Sequence, residues 1–279
     1  MSVSKRILIT GANSGIGFAT AENLLKKGNN IVLACRDEEK AKKAQIDLLA
    51  KGYSGEVDIV LLDLNSLKSV KEAADLIKQK YEYIDVLINN AGVYREKLLY
   101  TEDGYEQQFG VNYLGPFLFT HLLLPSLHQA KSGRVIHLSS IMHWLGDIKP
   151  ATFRMEQGKY LASKAYGQSK LANLLFSNAL AQKLEGTNVT SNAVHPGVIN
   201  SDMYRDLSIE KYLAIRPILI SPDIPAKLIS DMALSSAWEG RNGHYESAHM
   251  PNWQSRKAKD LKLRDRLYSR SLKLVKDYL

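Results

Sequence analysis

With 279 residues, 45% of them hydrophobic and 24% charged, the chain has ample apolar material for a real core and is long enough for one large α/β domain or two small ones. A single cysteine, Cys35, excludes an internal disulfide framework and suits a reducing compartment. The formal charge of +8 attracts polyanions without specificity, but no nucleic-acid motif accompanies the lysines and arginines, which are denser only from Arg256 to Lys276, so nucleic acid is not an expected partner.

In chain order, short apolar runs alternate with longer helical patterns. The start, "MSVSKRILIT", goes straight into an apolar strand at 6–10 without the apolar stretch of a signal peptide, and residues 15–28 read as a helix. Strands follow at 31–35, 58–64, 85–90, 134–140 and 189–195. Helices follow at 37–51, 66–81, about 103–130 and about 163–185. A helix at 222–235, a short strand near 243–247 and a basic helical tail over 256–279 complete the pattern. Strands this apolar are buried on both faces, which suits a parallel sheet flanked by helices. The alternation predicts an α/β fold, a Rossmann-type doubly wound parallel sheet of about seven strands with right-handed crossovers. No linker or repeat interrupts it, so one domain is expected. Its nucleotide-binding half covers about 1–130, and its catalytic and substrate half about 131–255. No run reaches the roughly 18 apolar residues that span a bilayer, and the expected location is the cytoplasm.

The first strand runs into "ITGANSGIGFAT", with Gly11, Gly15 and Gly17 spaced G-x-x-x-G-x-G. Glycine permits a tight turn and close approach of backbone to ligand. Free N–H groups at the following helix start, around Asn13, Ser14 and Ile16, suit a pyrophosphate. The second strand ends on Cys35 and Arg36. An NAD site usually offers an acid there for the ribose 2′-hydroxyl, whereas a guanidinium pairs with a 2′-phosphate. Asp37, next in line, is expected to cap the following helix. NADP(H) is therefore expected over NAD(H).

Ligands of open α/β sheets bind at the carboxyl ends of the strands. Asp63, "NNAG" (89–92), Ser139 and Ser140, and "HPG" (195–197) fall there. Tyr166 and Lys170 stand four apart in a helical stretch, one turn from each other. Such a pair is by itself more often a surface pair than a catalytic one. In this company the catalytic reading wins: a tyrosine titrates near 10, and a neighbouring ammonium favours its phenolate. A phenol held this way is ready to give up a proton and take it back.

"TGANSGIG", "NNAG", "VNYLGPF", "HLSS", "YGQSK" and "HPG", in this order over roughly the first 200 residues, resemble the short-chain dehydrogenase/reductase family. "ACRD", "SKLANLLFSNAL" and "VTSNAVHPG" are similar to its branch of retinol dehydrogenases and the WW-domain-containing oxidoreductase. The resemblance implies a catalytic tetrad of Asn112, Ser140, Tyr166 and Lys170, with Asn112 helping to hold a proton-relay water. It implies that Asp63 and Leu64 meet the adenine, that Asn90, Ala91 and Gly92 flank the adenine-ribose side, and that Pro196, Gly197, Val198 and Ser201 meet the nicotinamide end. Homodimers through the helices around 103–130 and 163–185 are a further implication.

Met142, His143, Trp144 and Leu145 either line a substrate wall or pack beneath the loop. The resemblance implies that the region after "HPG" closes over substrate; Met203, Tyr204, Leu207, Tyr212 and Leu213 make that lid apolar, which suggests a lipophilic aldehyde or ketone, and the branch adds retinal-like molecules, steroids and lipid-derived carbonyls. The tail, with leucines at uneven helical spacing, could lie on an acidic membrane surface but more often packs on its own domain or on a second subunit. No histidine falls in a metal-binding motif, and His195 reads as structural. Two other readings remain: a non-catalytic NADP-binding regulatory or scaffold protein, and a double-bond reductase resembling protochlorophyllide reductase.

Overall fold

The computed structural model describes residues 4–155, 159–199 and 219–279. Seven parallel strands form one sheet: β1 (Arg6–Thr10), β2 (Asn30–Cys35), β3 (Val57–Leu61), β4 (Val86–Asn89), β5 (Gly133–Leu138), β6 (Val189–His195) and β7 (Tyr245–Ser247). Their order is β3-β2-β1-β4-β5-β6-β7. The inner strands are apolar at both parities because both faces are covered. Ile7 and Ile9 join one core cluster and Leu8 the other; Val86 and Ile88 are likewise divided from Leu87. The order reverses between β1 and β4, which leaves a crevice at their carboxyl ends.

Helices α1 (Gly15–Lys26) and α2 (Glu38–Leu49) follow β1 and β2, and α3 (Leu67–Lys80) follows β3. The strand read at 58–64 stops at Leu61. Leu62 still donates to the Cys35 carbonyl at 2.9 Å, but Asp63 turns the chain by accepting the Asn65 N–H at 2.9 Å. The helix read from about 103 starts at Gln107. Glu106 delays it, its buried carboxylate accepting the N–H groups of Gln108 and Phe109 at 2.8 Å each. A π-helical segment, Gly110–Leu114, then interrupts the helix before α4 (Gly115–Gln129). Periodicity gave no sign of it.

Helix α5 (Ala162–Lys183) carries sixteen buried residues among its twenty-two. A helix buried almost all round must be covered on both sides. The sheet covers one side. The tail helix α7 (Leu261–Leu274), which follows α6 (Asp223–Leu234), covers part of the other. Tyr268 Oη meets His121 Nε2 at 2.8 Å, Ser271 Oγ meets Tyr113 Oη at 2.6 Å, and Arg264 donates to Gln182 at 2.6 Å. The tail thus packs on its own domain, against the two helices to which the resemblance assigns dimer pairing.

Candidate active site

The phosphate end is assembled by backbone geometry. Gly11 and Gly15 sit at φ +64° and +54°, a region that L side chains rarely adopt. A Cβ on Gly17 would collide with the Gly11 carbonyl and the Asn90 amide. The loop is held from two sides. Asn90 Nδ2 donates to the Thr10 carbonyl at 2.8 Å, while Thr10 Oγ1 accepts the N–H groups of Asn90 and Ala91 at 3.0 and 2.9 Å. Cys35 is buried beneath this loop, and burial pushes its thiol up to about 11. Ser14 makes no side-chain cap on α1, and the first turn of α1 holds no acid. The donors at that helix start face the cavity without a resident carboxylate, an arrangement that suits an anion.

At the end of β2, Arg36 is exposed and lines the cavity. Asp37 caps α2 as expected, accepting the Lys40 N–H at 3.0 Å. Lys40, which the sequence reading missed, lines the same wall. Nothing in the sequence set it apart from the other lysines of α2, which starts at Glu38.

The chemistry end is held by α5. Lys170 is 2% exposed and donates from Nζ to the Leu138 carbonyl at 3.1 Å; Nζ lies 5.4 Å from the Tyr166 ring centroid. Burial pushes the lysine down to about 8. Tyr94, also absent from the sequence reading, packs edge-on against Tyr166 with ring centroids 5.5 Å apart. The two serines after β5 divide the work. Ser139 Oγ is committed to the Lys170 carbonyl at 2.8 Å and braces the helix. Among the described residues, Ser140 Oγ takes part in one long 3.2 Å bond, accepting the Met142 N–H, which leaves its hydrogen to be given. Asn112 lies in the π-helical segment. Its amide clamps Val93 from both sides, accepting the N–H at 2.7 Å and donating to the carbonyl at 2.9 Å, and donates to Ser169 at 3.0 Å. Ser169 in turn donates to the Tyr166 carbonyl at 2.8 Å. Gly92 lies between Asn112 and Lys170: a Cβ there would sit 3.4 Å from Asn112 Oδ1 and 3.5 Å from Lys170 Nζ.

One cavity of about 290 Å³ joins the two ends. It gathers Gly11, Asn13, Ser14, Ile16 and Gly17, then Arg36, Asp63 and Leu64, then Asn90, Ala91 and Gly92, and finally Tyr166, Lys170 and Pro196. Gly15, Asn112, Ser140, Gly197 and Val198 do not line it. Gly15 shapes the loop, and Asn112 acts through Val93 and Ser169. Gly197 turns at φ +93° beside His195, whose Nδ1 accepts long bonds from the Ile141 and Gly197 N–H groups. Burial pushes His195 down to about 4, so it is a neutral structural acceptor. Ser201, Met203 and Tyr204 lie outside the described residues.

The substrate-wall expectation for His143 is corrected. This side chain is fully buried. Its Nδ1 meets the Ser140 carbonyl at 2.7 Å and its Nε2 accepts the Ser255 N–H at 3.1 Å. It fastens the loop to the C-terminal segment. Met142 is half-buried and does not line the cavity. Among the described residues no cluster of histidine, cysteine or acidic side chains is placed to hold a metal.

The model of the short chain dehydrogenase family matches residues 5–211. The chain belongs to this family. Human retinol dehydrogenase 13 is 39% identical over 279 residues, covering 97% of this chain and 84% of the relative. A crystal structure of an uncharacterized protein from Mycobacterium paratuberculosis superposes with a TM-score of 0.79 at 33% identity, covering 98% of this chain and 93% of the other. The Pseudomonas aeruginosa RhlG/NADP complex superposes with a TM-score of 0.73 at 25% identity, covering 88% and 95%. As a short-chain dehydrogenase, the protein is a retinol-dehydrogenase-like oxidoreductase acting on CH–OH groups.

Proposed function

We propose that this short-chain dehydrogenase uses NADP(H) to interconvert a lipophilic aldehyde or ketone and its alcohol, with Tyr166 as general acid and base. The observation that carries the reading is the single cavity running from the uncapped α1 N-terminus to Tyr166 and Lys170, with Arg36 and Lys40 on its far wall. The glycine cradle and the acid-free helix start fit a dinucleotide pyrophosphate. Arg36 just past β2 and Lys40 in the first turn of α2, which pairs with the capping Asp37 at 3.4 Å, fit a ribose carrying a 2′-phosphate. Bound there, the cofactor supplies or takes the hydride.

The protein's own residues handle the proton. In reduction, Tyr166 donates from its hydroxyl to the carbonyl oxygen, and Ser140 donates a hydrogen bond to the same oxygen. The phenolate left behind lies beside the Lys170 ammonium, which stabilises its charge. In oxidation the same phenolate takes the alcohol proton. Asn112 fixes the Val93 backbone and, through Ser169, the turn of α5 that carries Tyr166.

A buried lysine also weighs against the binding-protein reading. Its Nζ contacts one carbonyl and is held where burial costs charge, a cost that cofactor binding without chemistry does not require. The lipophilic substrate class is supported by the name of the retinol dehydrogenase relative.

The cofactor preference has its own test. Arg36→Ala combined with Lys40→Ala should weaken NADPH binding by about 10- to 100-fold, the worth of charge-assisted hydrogen bonds to a phosphate. NADH binding should stay within about threefold. Titration of cofactor fluorescence measures both. Equal losses for the two cofactors would assign these cations to the pyrophosphate rather than the 2′-phosphate.

A further inference from the structure

The chain's cations and its exposed tryptophans are unevenly placed. Between Arg256 and Lys276 there are nine lysines and arginines against two aspartates, a net +7 of the chain's +8. Helix α7 turns Leu267, Tyr268 and Ser271 inward, onto α4 and α5, and leaves Lys262, Arg266 and Lys273 exposed on its outer side. The tail's apolar face is thus already occupied, and its outward face is a cationic stripe.

Just ahead of this stripe, two of the three tryptophans stand in solvent. Trp144 is 50% exposed, Trp253 is 64% exposed, and Trp238 is 5% exposed. Leu145 and Leu261 are 50% and 62% exposed. The two exposed tryptophans belong to segments that His143 ties together. Its ring lies 5.8 Å from that of its neighbour Trp144, and its Nε2 accepts the N–H of Ser255, two residues beyond Trp253. Lys257 adds a second tie, donating to the Gly146 carbonyl and pairing with Asp147 at 3.1 Å each. Rigid fastening of exposed indoles beside cations is the pattern of an interfacial anchor. Indole rings settle at headgroup depth, and basic side chains meet anionic headgroups.

We infer that the Trp144–Leu145 turn, Trp253 and the outer face of α7 form a docking surface for an anionic phospholipid bilayer. The indoles enter the interface and the tail cations hold the headgroups. Charge complementarity selects this occupant: an apolar partner surface would use the indoles but not the exposed cations of α7, and a soluble polyanion would use those cations but not the indoles. The inference goes beyond the catalytic reading and is read without turnover.

Full-length protein would be mixed with phosphatidylcholine vesicles, with and without about a third phosphatidylserine. Co-sedimentation and tryptophan emission would be followed. Because Trp238 is buried, an emission shift reports Trp144 and Trp253. The expected result is sedimentation with the anionic vesicles and a blue shift, both lost at about 0.5 M salt. Trp144→Ala with Trp253→Ala, and separately Lys262→Glu with Arg266→Glu and Lys273→Glu, should each weaken binding by about tenfold or more at unchanged melting temperature. Should the tryptophan variant melt early, quenching of the wild-type emission by brominated lipid replaces it, and absence of quenching counts against the proposal. No sedimentation with anionic vesicles would overturn it. So would sedimentation without an emission shift that persists in the tryptophan variant, since that is adsorption of a polycation only.

Discussion

Tyr166→Phe should lower turnover by about a thousandfold, within the range that a positioned acid or base contributes, while NADPH affinity changes by less than about threefold. Phenylalanine keeps the ring and its edge-on contact with Tyr94 and removes only the hydroxyl that carries the proton. Hydride transfer to a carbonyl without a proton donor leaves an alkoxide in a site where burial already disfavours charge. The loss should therefore fall on kcat and kcat/KM together, as for an interaction made in the transition state. Steady-state kinetics and cofactor titration on the same preparation check it. A variant that retains more than about a tenth of the wild-type turnover would place the proton elsewhere, and Tyr94 would be the next residue to test.

Lys170→Met should abolish most turnover and yet make the protein harder to unfold at neutral pH. Burial holds Lys170 at about 8, against an ordinary value of 10.5. The folded state thus binds this proton less tightly than the unfolded chain. Below pH 8 both states carry it, and the full cost is present, roughly 3 kcal/mol from that difference. Between pH 8 and 10.5 the unfolded chain holds more protons, so wild-type stability rises with pH there through this group. Methionine fills similar space without the charge. The Leu138 carbonyl keeps its 3.2 Å bond from Asn173. After allowing for the lost lysine bond, the variant should gain about 1–2 kcal/mol at pH 7, a rise of a few degrees in melting temperature. The gain should shrink as pH climbs through 8. Wild-type carbonyl reduction should fall over the same interval, because the phenolate loses its counter-charge. Thermal melts from pH 6.5 to 10 and a kcat/KM profile test both. A variant less stable than wild type at every pH would show that the lysine is structural.

Much of this was legible in the chain because the fold leaves strong local marks. Strands buried on both faces have no polar parity, so "RILIT" and "RVIHLSS" could hardly be anything else. Gly11, Gly15 and Gly17 are dictated by positive φ or by backbone contact, and glycine alone satisfies such positions. The motif order placed Tyr166 and Lys170 together before any geometry was available. What stayed hidden depended on distant partners. Thr10 clamps the loop only because Asn90 arrives eighty residues later. The π-helical segment around Asn112 has no periodic signature. Whether His143 lines a pocket or packs beneath its loop is open on sequence, and only the return of Ser255 shows why it is buried. Lys40 was missed for a different reason: on sequence it is one of many lysines in α2, and its role depends on which wall of the cavity that turn faces.

The most direct test of the central claim follows NADPH absorbance while purified protein meets retinal, medium-chain aldehydes, a quinone and a steroid ketone, with NADH in a matched series. The account predicts NADPH oxidation with at least one lipophilic carbonyl, and markedly slower oxidation of NADH. Tight NADPH binding with no turnover on any of these carbonyls, or turnover that prefers NADH, would contradict it.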